Sequence, residues 1–366
     1  MKKKTFGLLL ITLAMAALLA IPFIRTPQAK AGPLPSSGYT VLSPITHGNL
    51  TIFPVVAATT HDTRAFLTLD EGLRSGEVVV TEAGQITPLV RRRPGYPVPN
   101  RREGAEVNRL VLVNNSERPL ILLAGEIVTG GKQDRVIGKG RIVPAHSDPL
   151  DLSVFCVEPG RWTATSAKFN ALEVQMAQPS VRARAMAARD QQQVWVEVNK
   201  SASAMAKAVP EAAAGDLRGT SSYARVMSNE EVKRQVDAVA APVTRSYEGV
   251  IRKLRDQNAV GVVVAVNGQI VWADIFAGPG LLEKYWPKLV RSYAAEALTA
   301  RARAARASVR DAQEFLDSFD GTRQTVETEP GVFRHTEIVG AGFHAFQLTS
   351  LLPKTGFDIH FSKMAE

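Results

Sequence analysis

The feature that most constrains this chain is a change in the spacing of its apolar residues along the sequence. Residues 39–162 contain short β-rich runs separated by Gly, Pro, Asn and Asp, a pattern typical of strands joined by turns. Residues 178–256 are rich in Ala, Gln, Glu, Lys and Arg, which favours helices. Strand patterns return in residues 259–361. The sequence therefore predicts an α+β fold with a sandwich- or barrel-like, β-rich N-terminal half, a helical segment, and a mixed α+β C-terminal half.

Individual elements follow from the same patterns. The predicted strands are Leu50–Val56, Glu77–Thr81, Leu110–Val113, Leu120–Val128, Leu152–Val157, Val332–Val339, Phe343–Leu348 and Phe357–Phe361. Ala259–Phe276 is predicted to form a hairpin, because Asn267-Gly268 favours a tight type I′ turn between two apolar runs. A long helical segment is predicted from Leu281 to Phe319. Its apolar face has i, i+3, i+4 spacing and consists of Leu282, Tyr285, Trp286, Leu289 and Tyr293.

The first 31 residues have the three parts of a secretory signal peptide. Basic Lys2–Lys4 precede the apolar stretch Phe6–Ile24, and Ala29-Lys30-Ala31 provides the small-x-small pattern for cleavage before Gly32. An uncleaved anchor is the alternative, because an apolar stretch of this length approaches the ~20 residues that span a bilayer. We therefore expect export to the periplasm or the cell exterior, as a single α+β unit over residues 32–366.

Signal cleavage would lower the net charge. It removes five of the 44 basic residues and none of the 35 acidic ones, so the formal charge falls from +9 to +4. Nucleic-acid binding requires basic residues gathered on one face. We interpret Arg91–Arg93 and Arg101–Arg102 as solvated loops, and Arg301, Arg303 and Arg306 as one face of a helix. The composition thus excludes nucleic acid as a partner, and it predicts no membrane span after cleavage.

The sequence lacks the complete motifs of disulfide-bonded, metal-binding, catalytic and wall-anchored proteins. Cys156 is the single cysteine, which excludes an intramolecular disulfide, and its apolar neighbours predict a buried core residue. The six histidines show no HxxxH or HExxH spacing, so we predict no metal site. There is no nucleophile elbow, P-loop or Rossmann fingerprint, and nothing identifies a cofactor. Leu352–Gly356 matches LPxTG but lacks a following apolar span, so it predicts a turn.

The best local pattern is a hairpin around Gly130-Gly131. If these glycines are the two loop residues, Glu126 falls directly opposite Arg135, with Gln133 on the same face. Glu126 lies in a run that is apolar on both faces, so we expect it to be buried and paired with Arg135.

That cluster has two interpretations. It could be a structural ion pair that fixes strand register. Alternatively, Glu126, Gln133 and Arg135 could line a pocket in which Arg135 binds an anionic group and Glu126 acts as acid, base or acceptor.

A second polar group follows the Leu152–Val157 strand. Glu158-Pro-Gly-Arg161-Trp162 closes that strand with a Pro-Gly turn, and alternation directs Glu158 to the face of Cys156, near the first cluster. Trp162 could stack on a ligand ring, although a core or rim tryptophan is the simpler interpretation.

The later hairpin around Asn267-Gly268 contains one acidic residue of interest. The register of a two-residue turn places Asp274 opposite Gly261, where we expect it to cap or orient the loop before the next helix.

These segments carry a resemblance to a known family. The stretches Ala124-Gly-Glu-Ile-Val-Thr-Gly-Gly-Lys-Gln-Asp-Arg135, Phe155-Cys-Val-Glu-Pro-Gly-Arg-Trp162 and Gly261-Val-Val-Val-Ala…Asp274-Ile-Phe276 are similar to the ARG and Rhodanese-Phosphatase-superfamily-associated protein domain family. The resemblance extends from about Pro44 to Leu351. The family name implies an association with ADP-ribosylglycohydrolase and phosphatase-type domains, hence nucleotide-derived or phosphorylated metabolites. The family supplies no catalytic residues to transfer. This chain departs from the family in its predicted signal peptide, which argues against a cytosolic role.

Three function classes follow. The first is an envelope binding module for an anionic small molecule, with Glu126, Gln133, Arg135, Glu158, Arg161 and Trp162 as candidate ligand-binding residues. The second is a hydrolase or transferase acting on a nucleotide-derived or phosphorylated metabolite. The third is a structural or protein-interaction protein that uses its Ala- and Arg-rich helices. No catalytic constellation stands out, which favours the first class.

Overall fold

The computed structural model describes residues 38–83, 108–166, 168–253, 258–300, 305–320 and 322–366. Its strands are β1 (Tyr39–Val41), β2 (Ile45–His47), β3 (Leu50–Ala57), β4 (Leu67–Thr68), β5 (Val78–Thr81), β6 (Arg109–Asn114), β7 (Leu120–Leu122), β8 (Glu126–Gly130), β9 (Arg135–Ile137), β10 (Arg141–Val143), β11 (Leu150–Cys156), β12 (Phe169–Met176), β13 (Asn258–Val266), β14 (Gln269–Phe276), β15 (Arg323–Glu329), β16 (Phe333–Gly340), β17 (Phe343–Ser350) and β18 (Asp358–Ala365). Its helices are α1 (Leu69–Ser75), α2 (Pro179–Ala183), α3 (Gln191–Ala208), α4 (Glu211–Arg218), α5 (Tyr223–Ser228), α6 (Glu230–Lys253), α7 (Pro279–Thr299) and α8 (Val309–Asp317), with a π-helix, Arg184–Ala188, after α2. The predicted α+β class is confirmed.

One antiparallel sheet of nine strands dominates the structure. Its order is β1-β3-β13-β14-β18-β17-β16-β15, and β2 also pairs with β3. One face packs against α6 and α7, while α8 covers the other through Ala312 and Leu316. The first three strands therefore belong to the C-terminal sheet, and the predicted β-rich segment 39–162 is divided between separate sheets.

The rest of the N-terminal half forms a nearly closed barrel. A six-stranded sheet has the order β12-β8-β9-β11-β6-β5, and its two edges, β12 and β5, come into contact. A smaller sheet, β10-β7-β4, completes the wall. Leucine, valine and phenylalanine side chains from most of these strands fill the interior. The barrel-like prediction is confirmed for this part of the chain.

The predicted hairpin of β13 and β14 forms around Asn267-Gly268. Both residues have positive φ, 53° and 73°, as a type I′ turn requires. A bulge between Val264 and Ala265 then shifts the register by one residue, so Asp274 pairs with Val262 and not with Gly261 as predicted. The turn is predictable from its residue types, whereas nothing in a two-residue-turn rule signals the bulge.

The helical predictions hold with one change. The apolar stripe of α7 is buried, from Leu282 through Tyr293. The predicted segment Leu281–Phe319 is two helices, and a Ser308 capping box begins the second. Arg306 consequently lies before α8 and not on a helix. Leu352–Gly356 forms the predicted turn, between β17 and β18.

Several predictions concern residues outside the described ranges. They are the signal peptide at residues 1–31, Arg91–Arg93, Arg101–Arg102, Arg301 and Arg303. Within the ranges that the structure describes, we find no helix with the length and apolar character needed to cross a bilayer.

His335 on β16 gives the fold a pH-dependent stability. Its side chain is 5% exposed, and burial, followed by repulsion from Lys139 and Arg189, lowers its pKa to about 3. In the unfolded chain a histidine has a pKa of about 6.5, so as the pH falls the unfolded state binds a proton before the folded state does. The free energy of unfolding therefore decreases as the pH drops below that value. We expect His335→Gln to remove about 2 kcal/mol of the stability difference between about pH 7 and pH 5, as measured by urea denaturation.

The exposed His47 provides the matched control. His47→Gln removes a histidine from a solvated position, so the pH dependence should stay that of the parent protein. If His335→Gln left the pH dependence intact as well, buried His335 would not be its source.

Candidate functional site

The predicted pairing of Glu126 with Arg135 is wrong. β8 ends at Gly130 and β9 begins at Arg135, so the connection is longer than two glycines, and Val128 lies opposite Arg135. The longer loop is held by side chains that a turn rule does not consider. Glu82 accepts a hydrogen bond from the Lys132 amide at 2.9 Å, and Arg161 donates to the Gly131 carbonyl at 3.0 Å.

Glu126 is buried as predicted, but its partner is on a distant helix. Its Oε1 lies 2.8 Å from Lys288 Nζ, and its Oε2 accepts from the Leu123 amide at 2.7 Å. Lys288 also pairs with Asp70, at the start of α1. The sequence offered one signal: Lys288 lies three residues after Tyr285, inside the apolar stripe of α7. This triad ties the barrel to α7 and lies outside the cavity described below.

Arg135 is also buried. It lies opposite Cys156 on β11, and both side chains are fully enclosed. Among the described residues, its Nε and Nη2 atoms have no hydrogen-bond partner. Burial lowers the pKa of Arg135 and raises that of Cys156, which supports the interpretation of Cys156 as a core residue. Arg135 therefore bonds the loop through one long contact, from Nη1 to the Asp134 carbonyl at 3.5 Å, and does not meet solvent.

The loop brings two acidic side chains together with one arginine. Glu158 Oε2 accepts from the Asp134 amide at 3.1 Å and from Arg161 Nη2 at 2.5 Å. Asp134 Oδ1 accepts from the Gly130 amide at 3.1 Å, and its Oδ2 accepts from Ser222 Oγ at 3.0 Å. Of the cluster that Glu158 was predicted to approach, Gln133 bonds its carbonyl at 3.2 Å, whereas Glu126 pairs with Lys288.

A polar cavity of about 300 Å³ opens beside this group. It is lined by Thr129, Gly130, Asp134, Glu158, Arg161, Thr165, Ser166, Asn170 and Arg225. Two of the predicted ligand-binding residues, Glu158 and Arg161, line it. Glu126 and Arg135 are not in the lining. Gln133 is not in it either, and its Nε2 donates to the Glu158 carbonyl. Trp162 lies outside the lining, 43% exposed, with the Lys132 ammonium over its ring.

Asp134 and Arg225 are the charged lining residues that sequence reasoning missed. Asp134 lies within the Gly-Gly-Lys-Gln-Asp-Arg segment, so alternation could have flagged it. Arg225 comes from α5 and carries no motif signal. Its side chain is exposed, and within the described chain no carboxylate lies at ion-pair distance from it.

The electrostatics of the cavity come from the close carboxylates. Burial, followed by repulsion from Glu158, raises the pKa of Asp134. Glu158 Oε1 accepts no hydrogen bond from the residues that the structure describes, so it can accept one from a ligand hydroxyl. In the described ranges, no group of three His, Cys, Asp or Glu side chains could hold a metal ion. The cavity offers hydrogen-bonding groups and two arginines, Arg161 and Arg225.

Asp274 has a different place from the one predicted. It is fully buried and receives both Arg182 terminal nitrogens, at 2.8 and 3.0 Å, together with Tyr293 Oη at 2.6 Å and His360 Nε2 at 2.9 Å. The N-cap of α7 is Gly278, without a side-chain cap, so Asp274 does not cap that helix.

The position before Glu126 requires glycine. The φ of Gly125 is +98°, and a Cβ there would lie 2.7 Å from Arg182 Cγ.

Comparisons with known proteins return one match. The sequence profile of the family described as ARG and Rhodanese-Phosphatase-superfamily-associated Protein domain matches residues 38–364. No curated protein and no solved structure matches the chain. The match includes every residue of the cavity and of the two buried charge clusters.

Proposed function

We propose a function for this chain, which belongs to the ARG and Rhodanese-Phosphatase-superfamily-associated Protein domain family over nearly all of its described length. The protein is a binding module for a small, hydroxyl-bearing anion. The ligand binds in the cavity formed by the Gly130-Gly131 loop and α5. The observation that carries this proposal is Arg225, an exposed cation without an ion-pair partner in the described chain, at the edge of a cavity of hydrogen-bonding groups.

Two lining residues of the cavity suit two parts of one ligand. Arg225 presents a planar guanidinium, which binds carboxylate and phosphate groups through paired hydrogen bonds. Glu158 Oε1, in the same lining, accepts hydrogen bonds from hydroxyl groups. Arg161 is already committed to Glu158 and to the Gly131 and Thr163 carbonyls, so it holds the loop in place. Sugar phosphates and nucleotide-derived phosphates combine both features.

We also propose that the protein acts in the cell envelope or outside the cell. The support is the arrangement of Lys2–Lys4, Phe6–Ile24 and Ala29-Lys30-Ala31. N-terminal sequencing of the protein from its native host would show Gly32 first after cleavage, and Met1 or Lys2 if the segment is retained.

The binding proposal predicts a thermal shift that depends on Arg225. At 100 times its dissociation constant, a ligand that binds only the folded state stabilises it by about 2.7 kcal/mol. We would screen nucleotides, ADP-ribose, sugar phosphates and divalent metals. Arg225→Ala should weaken a phosphate ligand about tenfold or more, because it removes a charge-assisted hydrogen bond. Its fold should be intact, since the side chain is exposed.

The matched control is Arg245→Ala, which removes an exposed arginine from α6, away from the cavity. It should bind as the parent protein does. A ligand whose affinity is the same in all three proteins binds elsewhere. No shift with any compound would favour the structural or protein-interaction alternative, which affinity capture from the envelope would then test.

A hydrolase or transferase is the second candidate, and one observation favours it. The Asp134 and Glu158 carboxyls lie side by side in the cavity, and burial followed by repulsion from Glu158 raises the pKa of Asp134, as in sites where a carboxyl acts as a general acid. If a bound phosphate ester is turned over, Asp134→Asn should abolish turnover and leave binding nearly unchanged. Loss of both together would assign Asp134 to binding.

A further inference from the structure

A second cavity shares no lining residue with the first. Its volume is about 540 Å³, and its walls come from α2, the π-helix, α3, α7 and β14, with β17 and β18. Cavities that bind small molecules usually measure roughly 300–1,000 Å³. This one is therefore large enough for a ligand of monosaccharide size.

Small side chains and an unusual helix create the space. Ala183, Ala187 and Ala188 form one wall, and the last two belong to the π-helix. The π-helix closes with a bond from the Arg189 amide to the Arg184 carbonyl, at 3.0 Å, and Arg189 has a positive φ of 51°. Single π-helical turns are rare and frequently occur at functional sites, because the extra residue displaces the backbone from its regular path.

Glu296 supplies a carboxylate without a counter-ion. Its Oε2 accepts from the Ser180 amide at 3.0 Å and from Gln178 Nε2 at 3.1 Å. The Ser180 hydroxyl is a further donor to this carboxylate, and within the described ranges no cationic side chain lies at ion-pair distance from Glu296. The nearby Lys200 is paired with Glu197, at 3.1 Å. Burial, followed by the charge of Glu197, raises the pKa of Glu296. A half-buried carboxylate without a paired cation is stabilised when a ligand supplies one.

Trp272 supplies the complementary donor. It lines the same cavity and is 1% exposed, and its indole N–H has no acceptor among the described residues. Arg182 covers one face of the ring, at 4.3 Å from its centroid. A buried N–H without a partner costs free energy, which an oxygen acceptor in the cavity would recover.

We propose that this cavity binds a small primary amine that carries a nearby hydroxyl or carbonyl oxygen. The ammonium group donates to Glu296 Oε1, and the oxygen accepts from Trp272 Nε1. Amino sugars and amino alcohols have this chemistry. The site is independent of the proposed anion site, so either can fail without the other.

The test follows the indole N–H signals of the full chain by NMR. The sequence has four tryptophans, and Trp272→Phe assigns the relevant signal. We would titrate glucosamine and ethanolamine to about 10 mM, a limit that includes weak binding. Glucosamine should move the Trp272 signal in a saturable way. N-acetylglucosamine, which has the same ring without the positive charge, should not.

Substitution then identifies the carboxylate. Glu296→Gln keeps the side-chain shape and should weaken glucosamine binding about tenfold or more, because a charged hydrogen bond becomes neutral. Glu314→Gln, the same change on α8, should have no effect. The proposal is overturned if neither amine moves the signal, if N-acetylglucosamine moves it equally, or if a folded Glu296→Gln variant binds as tightly as the parent. The acetylated control decides the matter even if that variant does not fold.

Discussion

Arg182→Met is expected to lower the free energy of unfolding by about 3–5 kcal/mol at neutral pH, because it leaves Asp274 buried without its main counter-ion. Asp274 and Arg182 have no exposed side-chain surface, and two hydrogen bonds join them. Burial alone would raise the pKa of Asp274, but Arg182, followed by His360, holds it below its usual range. Urea denaturation followed by circular dichroism measures the loss.

A second substitution separates charge from packing. Arg182→Met combined with Asp274→Asn removes both charges and keeps the shape of the acceptor, so it should recover a large part of the lost stability. Arg218→Met on α4 breaks an arginine–carboxylate pair that is fully exposed, with Glu211, and should have no measurable effect. An Arg182→Met protein as stable as the parent would show that Tyr293 and His360 alone sustain the buried carboxylate.

Lys288→Met is expected to cost a similar amount, about 3–5 kcal/mol, because it leaves the Glu126 carboxylate buried in the same triad as Asp70. Lys288 is 3% exposed, and burial already raises the pKa of Glu126 while Lys288 opposes that rise. Removing Lys288 should raise the pKa of Glu126 further. A folded-state pKa above the unfolded value means that stability is retained at low pH and lost as pH rises through the folded value. The stability deficit should therefore shrink in acid.

The control lies one turn earlier on the same helix. Lys284 pairs with Glu71, and both side chains are 32% exposed, so Lys284→Met should cost at most about 1 kcal/mol. Guanidinium denaturation of both variants at neutral and acid pH makes the comparison. A Lys288→Met deficit that is equal at both pH values would mean that lost packing, and not the uncompensated carboxylate, destabilises the variant.

Local patterns in the sequence predicted local structure well. Asn267-Gly268 gave the hairpin turn because its two residues tolerate positive φ, and the i, i+3, i+4 spacing identified the buried face of α7. Register was less predictable. The Gly130-Gly131 loop and the bulge after Val264 each shift pairing by a residue or more. The loop is held by a distant side chain, Glu82, and the two-residue-turn rule gives no signal for the bulge.

The site itself was only partly predictable. Glu158 and Arg161 could be found because a Pro-Gly turn and strand alternation direct them toward the Gly-Gly loop. Arg225 could not, because α5 reaches the cavity through tertiary packing that leaves no mark on local spacing. The same limit applies to Glu126: its burial follows from its apolar neighbours, while its partner Lys288 lies on another element.

The position of β3 in the nine-stranded sheet has a consequence for biosynthesis. Leu50 pairs with Val266, and β3 lies between β1 and β13, so this strand leaves the ribosome long before its main partner exists. Contacts so distant in sequence slow folding, and an unpaired apolar strand is a site for aggregation while it waits. We therefore expect slow refolding from denaturant and a requirement for chaperones during synthesis. A circular permutant that places residues 38–57 directly before β13 should refold faster.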